Sequence, residues 1–425
     1  MMRPLFSSFQ LSHAEAALKS LMRFEFPADG ELSRYFREHH ALGHTDRGVI
    51  AETVFDVLRH LRSLEARCRI EGGSATPRRL LLAAQVRQGR NLRELETLLK
   101  GGERDWLAQV KGFDETALSP AERLDLPDWL YTRLCSVADE KTVEAMAFAL
   151  NQPAPLDLRV NELKARRAEV LAQLSEEGWP VAPGRFSPLA IRLEGPKKPA
   201  LARHPLFLSG AIEVQDEGSQ LLGMLLSPKR GETVADFCAG AGGKTLLLGA
   251  LMKGSGRLYA FDISEKRLAR LKPRLQRSGL SNVWPQRLES ERDAKLKRLA
   301  GKLDKVLVDA PCSGLGTLRR NPDLKWRQTP EAVAELAQKQ SAILASAARL
   351  VRPGGQLVYA TCSLLPEENE AVVDAFLAAH PEFQERSAGE ALRRIGWTET
   401  ESRLRLLPHR HGTDGFFAAL LERMQ

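Results

Sequence analysis

The chain has 425 residues, 43% of them hydrophobic, which is enough for two or three buried cores and excludes an intrinsically disordered protein. Lys and Arg total 62 against 54 Asp and Glu, a net charge of +8 that favours a polyanionic partner such as nucleic acid. No apolar run approaches the roughly 18 residues a membrane span needs, and Met1–Gln10 lacks the apolar core of a signal peptide, so we expect a cytoplasmic protein without membrane contact.

From Leu11 to about Asn151 every clear periodicity is helical. Ile50, Val54, Phe55, Leu58 and Leu61 recur at helical spacing, with Arg47, Glu52, Arg59 and Arg62 between them. The stretches Pro77–Val86 and Asp128–Ala138 repeat the pattern, which predicts an all-α domain over residues 1–150. It carries no nucleophile motif, so binding or scaffolding is its expected role, and His39 and His40 read as solvated surface residues.

After the hinge Asn151-Gln-Pro-Ala-Pro155 come a short strand-like run, Leu156–Asn161, and an amphipathic helix from near Ala165. The stretch Pro180–Pro205 is rich in Pro, Gly and Lys, and residues 151–210 read as a small α+β module. Arg159, Lys164, Arg166, Arg167, Lys197, Lys198 and Arg203 make it basic, as suits either a solvated connector or an RNA contact.

From about Ala211 strands and helices alternate. Strand-like runs lie at Thr233–Phe237, Arg257–Phe261, Lys305–Val308 and Gln356–Ala360, with helical runs at Lys244–Lys253, Ser264–Arg277 and Pro330–Val351. Such alternation predicts an α/β fold over residues 211–425, a doubly wound parallel sheet. Asp414–Leu421 is a further strand, expected to close the sheet at its edge. Between Ser264 and Asp304 twelve Lys/Arg face five Asp/Glu, which implies a basic face. Residues Lys266 to Lys302 are its candidates for holding RNA phosphates, or they form a surface that only confers solubility.

The run Val234-Ala-Asp-Phe-Cys-Ala-Gly-Ala-Gly-Gly-Lys-Thr245 follows a strand and opens a helix, where glycines allow close backbone approach to a ligand. A phosphate-binding P-loop would need its first glycine at position 238, which is Cys238. Asp262 ends the next strand, nineteen residues after Gly243, where an acid can accept hydrogen bonds from ribose hydroxyls. A nicotinamide dinucleotide and S-adenosylmethionine would both satisfy this pattern, although Gly240, Gly242 and Gly243 depart from GxGxxG.

Two apolar runs end in cysteine loops fifty residues apart: Val306-Leu-Val-Asp-Ala-Pro-Cys-Ser-Gly314 and Val358-Tyr-Ala-Thr-Cys-Ser363. In a parallel sheet both loops would face one crevice at the carboxyl ends of the strands. Carbon 5 of cytosine is too poor a nucleophile to take a methyl group from a sulfonium unaided. A thiolate adding to carbon 6 makes it an enamine, and a second group must then help remove the carbon-5 proton. Two loop cysteines beside a nucleoside-binding loop suit both needs. Cys68, Cys135 and Cys238 read as packing residues. The five cysteines form no CxxC pair, none of the nine histidines pairs with them at ligand spacing, and neither disulfides nor a metal is expected.

Asp309-Ala-Pro-Cys-Ser-Gly314 and Ala360-Thr-Cys-Ser363 resemble the paired motifs of RNA 5-methylcytosine methyltransferases of the Nop2/Sun (Fmu) superfamily. Gly316–Trp326, Leu364–Glu370, Leu158–Asn161 and Val214–Gln220 resemble its bacterial RsmB-like branch. The helical part is similar to that branch's NusB-like RNA-binding domain through Asp46–Arg59, with Asp56 where glycine is expected. The resemblance implies a class I, Rossmann-like methyltransferase domain with S-adenosyl-L-methionine as cofactor. It implies Cys362 as nucleophile, Cys312 as the residue that breaks down the adduct, Asp309 as holder of the base, and Lys244 near cofactor and base. Ala239, Gly240, Ala241, Gly242 and Gly243 would approach the methionine part and Asp262 the ribose. Asp236, Cys238, Lys244, Arg267 and Asp309 would complete the cofactor surface, with Glu289 a candidate for adenine. Ala241 replaces the usual proline of the glycine loop.

The expected function is S-adenosyl-L-methionine-dependent cytosine carbon-5 methylation of RNA, foremost ribosomal RNA, by a monomeric, metal-free enzyme. A transfer-RNA substrate and a non-catalytic RNA-binding assembly factor are the alternatives. A DNA cytosine methyltransferase would need only the proline-preceded cysteine, so the additional Thr361-Cys362 pair argues for RNA.

Overall fold

The computed structural model describes residues 6–195 and 199–425; the N-terminal Met1–Leu5 and the basic pair Lys197 and Lys198 lie outside the described residues. Two compact units emerge. The first comprises Met1–Pro153 together with Thr317–Thr329, and the second Ala154–Gly316 with Pro330–Gln425.

The first unit is helical throughout its described residues, beginning with Ser8–Leu21, Ala28–Glu38, His44–Arg59, Leu61–Cys68 and Pro77–Arg87. Local chemistry starts these helices where they start. The Ser7 hydroxyl accepts from the Gln10 N–H while the Gln10 side chain reaches back to Ser7, and Thr76 caps a helix with Pro77 at its first position. Leu18, Ile50, Leu58, Leu64 and Leu80–Leu82 form its core, the periodic residues turned inward. Asp56, found where glycine was expected, is buried and accepts from Arg87 at 2.9 Å and Gln88 at 2.8 Å. His39 departs from the solvated reading: its ring is half-buried, stacked on Tyr35 at 4.0 Å between centroids, whereas His40 is exposed.

Thr317–Thr329, expected within the methyltransferase domain, belongs instead to the helical unit. Its side chains satisfy main-chain groups that helix ends leave open. The Asp323 carboxylate accepts from the Ala28 N–H at 3.2 Å, and Trp326 Nε1 donates to the Leu58 carbonyl at 2.7 Å. The fully buried Lys325 ammonium donates to the Arg59 carbonyl at 2.7 Å and to Asn151 Oδ1 at 2.9 Å. Burial pushes its pKa down to about 7.

The second unit contains two sheets. The smaller is antiparallel, of order β2-β3-β1-β4, from β1 (Leu156–Val160), β2 (Val181–Pro183), β3 (Ala190–Leu193) and β4 (Ile212–Val214). Helix Arg167–Glu176 joins β1 to β2, and a short helix, Pro205–Leu208, precedes β4. Residues 154–210 therefore fold within the same unit as the larger sheet rather than standing apart.

The larger sheet contains β5 (Thr233–Asp236), β6 (Arg257–Asp262), β7 (Val283–Arg287), β8 (Leu303–Asp309), β9 (Val351–Thr361), β10 (Phe383–Arg386), β11 (Leu404–Leu406) and β12 (Phe416–Arg423). Its order is β10-β12-β9-β8-β5-β6-β7, with β7 to β9 parallel and β12 antiparallel to β9. The chain enters at β5 in the middle and builds outward both ways, the doubly wound arrangement. Two expectations need correction. β12 does not close the edge, because β10 and β11 both pair with its outer side. The helix expected through Val351 ends at Ala348, where Val351 begins β9 after Pro330–Ala348.

Candidate active site

Four parallel strands end on one crevice, and each delivers a residue to it. β5 ends at Asp236, β6 at Asp262, β8 at Asp309, and Cys362 follows directly on β9. The crevice holds a cavity of about 700 Å³, lined among others by Asp236, Cys238, Ala239, Gly240, Ala241, Gly243, Lys244, Asp262, Arg267, Glu289, Asp309, Cys312 and Cys362. Every expected site residue except Gly242 is on that wall. Gly242 has φ +86°, and a Cβ there would sit 2.1 Å from Leu271, so it serves the packing of helix Glu265–Ser278 under the loop.

The glycine loop is held from below. Arg159, on β1 and fully buried, donates to the Gly243 carbonyl at 2.7 Å and to Gln215 Oε1, while Arg274 donates to the Ala241 carbonyl at 2.6 Å. Both arginines were read as surface charge. Arg274 and Arg277 also pair with the buried Glu213, at 3.0 and 2.5 Å, so the basic face is narrower than the sequence implies. Lys266, Arg270 and Lys272 on the same helix are exposed.

At the cofactor end, Asp262 accepts from the Gly240 N–H at 2.8 Å and the Ser264 N–H at 2.7 Å, and Arg267 lies 3.2 Å from its carboxylate. Asp236 accepts from the Thr245 hydroxyl at 2.7 Å through Oδ2, while its buried Oδ1 has no partner among the described residues. Burial pushes the Asp236 pKa up to about 7. Glu289 reaches the rim, exposed and 3.6 Å from Arg287. Burial pushes the Cys238 thiol up, which disfavours its thiolate.

At the other end, Lys244 Nζ donates to Asp309 Oδ2 at 2.7 Å and sits 5.7 Å from the Phe416 ring. Burial opposes the ammonium, but Asp309 outweighs it and the Lys244 pKa is raised. The Cys312 and Cys362 sulfurs are 3.3 Å apart. The Cys312 pKa is raised, first by its hydrogen bond with Cys362, then by burial and by the charges of Cys362 and Glu368. Backbone bonds knit the two loops, Ala310 N–H to the Ala360 carbonyl at 2.9 Å and Gly316 N–H to the Cys362 carbonyl at 2.8 Å. Position 316 must be glycine, since a Cβ would meet the Cys362 and Gly415 carbonyls at 2.8 and 2.2 Å.

Sequence reasoning missed several residues here. Gln215, Asp216, Ile263, Lys339, Asp414 and Phe416 line the cavity from elements distant in sequence. Beneath the cysteines lies Glu368, within the motif run Leu364–Glu370 but without a role that the sequence reveals. Among the described residues no group of three or more His, Cys, Asp or Glu could hold a metal ion, and no helix is long and apolar enough to cross a membrane.

A central parallel sheet with a glycine loop after its first strand and an acid ending its second is the arrangement of a class I methyltransferase, and the chain's family match makes its cofactor S-adenosyl-L-methionine. Residues 223–422 match the family described as 16S rRNA methyltransferase RsmB/F, and residues 126–199 match the RsmF/B-like ferredoxin-like domain. The "Probable ribosomal RNA small subunit methyltransferase B" of Synechocystis sp. is 34% identical over 96% of this chain and 97% of its own. The crystal structure of PH0851 superposes with a TM-score of 0.79 at 29% identity, covering 99% of this chain and all of that one. A methyltransferase homolog protein from Pyrococcus horikoshii gives 0.61 at 30% identity, over 73% of this chain and 100% of its own. The chain belongs to the RsmB/F family of 16S rRNA methyltransferases.

Proposed function

We propose that the protein methylates carbon 5 of a cytosine in small-subunit ribosomal RNA, through a covalent cysteine adduct. The observation that carries this reading is the pair of thiols 3.3 Å apart at one end of the cavity, beside the Lys244–Asp309 ion pair. When bound, S-adenosyl-L-methionine supplies an electrophilic methyl group. The residues present fit it: Ala239, Gly240 and Gly243 offer backbone for close approach, Asp262 suits ribose hydroxyls, and the unpartnered Asp236 Oδ1 suits an amino group.

The target base must leave its stack to enter the crevice, which favours single-stranded or incompletely assembled RNA. Asp309, oriented by Lys244, accepts from the exocyclic amine, and from the ring nitrogen once that nitrogen is protonated as the adduct forms. The Cys362 thiolate adds to carbon 6 and opens the 5,6 double bond, making carbon 5 nucleophilic toward the methyl group; the electron pair of the broken sulfur–methyl bond stays on the cofactor sulfur as a neutral thioether. Cys312 then takes the carbon-5 proton, the double bond re-forms, and Cys362 leaves as the sulfur–carbon bond breaks.

The order of events follows from the charges. While Cys362 is free, its hydrogen bond and charge help keep the proton on Cys312. Once Cys362 is bound to the ring both of these causes vanish while burial and the Glu368 charge persist, so Cys312 gives up its proton to solvent more readily after the adduct has formed than before.

Bisulfite sequencing of small-subunit RNA incubated with the protein and S-adenosyl-L-methionine tests the reading. A protected cytosine, absent with Cys362→Ala, is expected. Methyl groups found on another atom or another base would overturn it.

A further inference from the structure

Glu368 has no exposed surface and takes no part in the cavity wall. A carboxylate so placed is costly unless all its acceptor sites are met. Oε1 accepts from the Ser313 N–H at 2.8 Å and from Gln340 Nε2 at 3.0 Å. Oε2 accepts from the Ser313 hydroxyl at 2.5 Å and from the Ser363 hydroxyl. All four donors are uncharged. An apolar side chain here would leave four buried donors without their acceptor, so the carboxylate holds the segments that carry those donors in place.

What is placed is evident from the donors. Ser313 follows Cys312 in the chain and Ser363 follows Cys362, and the two hydroxyls are themselves 3.2 Å apart. Gln340 also donates to the carbonyl of Pro311, which precedes Cys312, at 2.9 Å. The Tyr359 hydroxyl donates to the carbonyl of Glu368 at 2.6 Å and ties the clamp to β9.

We propose that Glu368 is a positioning residue for methyl transfer, a buried clamp that binds the residue after each cysteine and so sets the distance and direction of the two sulfurs. The proposal rests on the cysteine-adduct reading above. Attack at carbon 6 and proton removal at carbon 5 occur on neighbouring ring atoms, which demands two sulfurs in fixed relation. A misplacement of about 1 Å in such an arrangement costs roughly 100-fold in rate.

The test is steady-state transfer of radiolabelled methyl groups to RNA by Glu368→Ala, Glu368→Gln and Ser363→Ala in the full chain. For Glu368→Ala we expect kcat to fall about 100-fold, with KM for RNA and the dissociation constant for S-adenosyl-L-methionine within about three-fold of the parent. Glu368→Gln, which retains shape and two acceptor sites, should recover about ten-fold of that loss. Ser363→Ala removes a single hydroxyl and should lower kcat by about ten-fold, so the clamp remains testable if Glu368→Ala does not fold. A kcat near the parent value in the folded variants overturns the proposal, as does a loss shared equally by cofactor binding and KM. The assay counts methyl groups whatever atom accepts them, so failure of the carbon-5 reading appears separately, in the position of the label on the base.

Discussion

The Cys312 sulfur lies 3.3 Å from the Cys362 sulfur, and the two sit on loops from adjacent strands, β8 and β9. At this distance each is poised to act on the same small ring, but their surroundings are not equivalent. Cys362→Ala should abolish methyl transfer and leave S-adenosyl-L-methionine binding within about two-fold, measured by calorimetry. Cys312→Ala should instead accumulate a denaturant-resistant protein–RNA adduct on gels. Free protein alone under single-turnover conditions would show that Cys312 is not the release residue.

The Lys244–Asp309 ion pair should matter to chemistry more than to folding. Lys244→Met leaves the Asp309 carboxylate without its partner and free to swing from the base. We expect kcat/KM to fall by about 100- to 1,000-fold, the usual cost of losing one preorganised polar group. Asp309→Asn should fall by a similar factor. An unchanged kcat/KM in both would remove the pair from the reaction.

Arg159 gives a prediction about the cofactor. Its truncation in Arg159→Leu removes a buried donor from the Gly243 carbonyl and leaves Gln215 Oε1 unpaired, at a cost of about 1–3 kcal/mol. The glycine loop should loosen, and S-adenosyl-L-methionine should bind about ten-fold more weakly by equilibrium dialysis. Binding as tight as in the parent chain would show that the loop keeps its shape unaided.

Lys325 predicts a pH dependence confined to the helical unit. Its pKa in the folded chain is about 7, against 10.5 when unperturbed. Below pH 7 the folded and unfolded chains both carry the proton. Between pH 7 and 10.5 the unfolded chain keeps a proton that the folded chain has released, so stability rises with pH across that window. The melting temperature of the parent minus that of Lys325→Met should therefore be more favourable at pH 9 than at pH 6.5. An equal difference at both values would show that Lys325 keeps its proton on folding.

The strands that carry the site were legible because they are buried on both faces. Val306–Val308 and Leu357–Ala360 read as continuous apolar runs, and the cysteines at their ends fell together as expected. Other strands were not legible. β7 reads Val-Trp-Pro-Gln-Arg, and its proline is tolerated because β7 is the sheet's edge. β10 and β11 are short, and both pair with β12, which follows them in the chain.

Charge was the least legible property. A count of Lys and Arg cannot separate Arg274, turned inward to Glu213 and the Ala241 carbonyl, from Lys272, exposed two residues earlier. Glu368 is the same lesson with the opposite sign, an acid whose donors come from three separated segments of the chain. Thr317–Thr329 carries no periodicity that assigns it to the helical unit; its membership rests on Asp323, Lys325 and Trp326 reaching main-chain groups about 270 to 300 residues away.

That last attachment bears on how the chain is made. The helical unit is synthesised first, but its final thirteen residues, Thr317–Thr329, leave the ribosome about 160 residues later. At roughly 5–20 residues per second the wait is about 10–30 s, during which the Ala28 N–H and the Arg59 and Leu58 carbonyls lack their eventual partners. Completion of the N-terminal half is thereby deferred until β8 and its cysteine loop have been translated. A stop codon before residue 317 would leave the helical unit unfinished although its first 153 residues were intact.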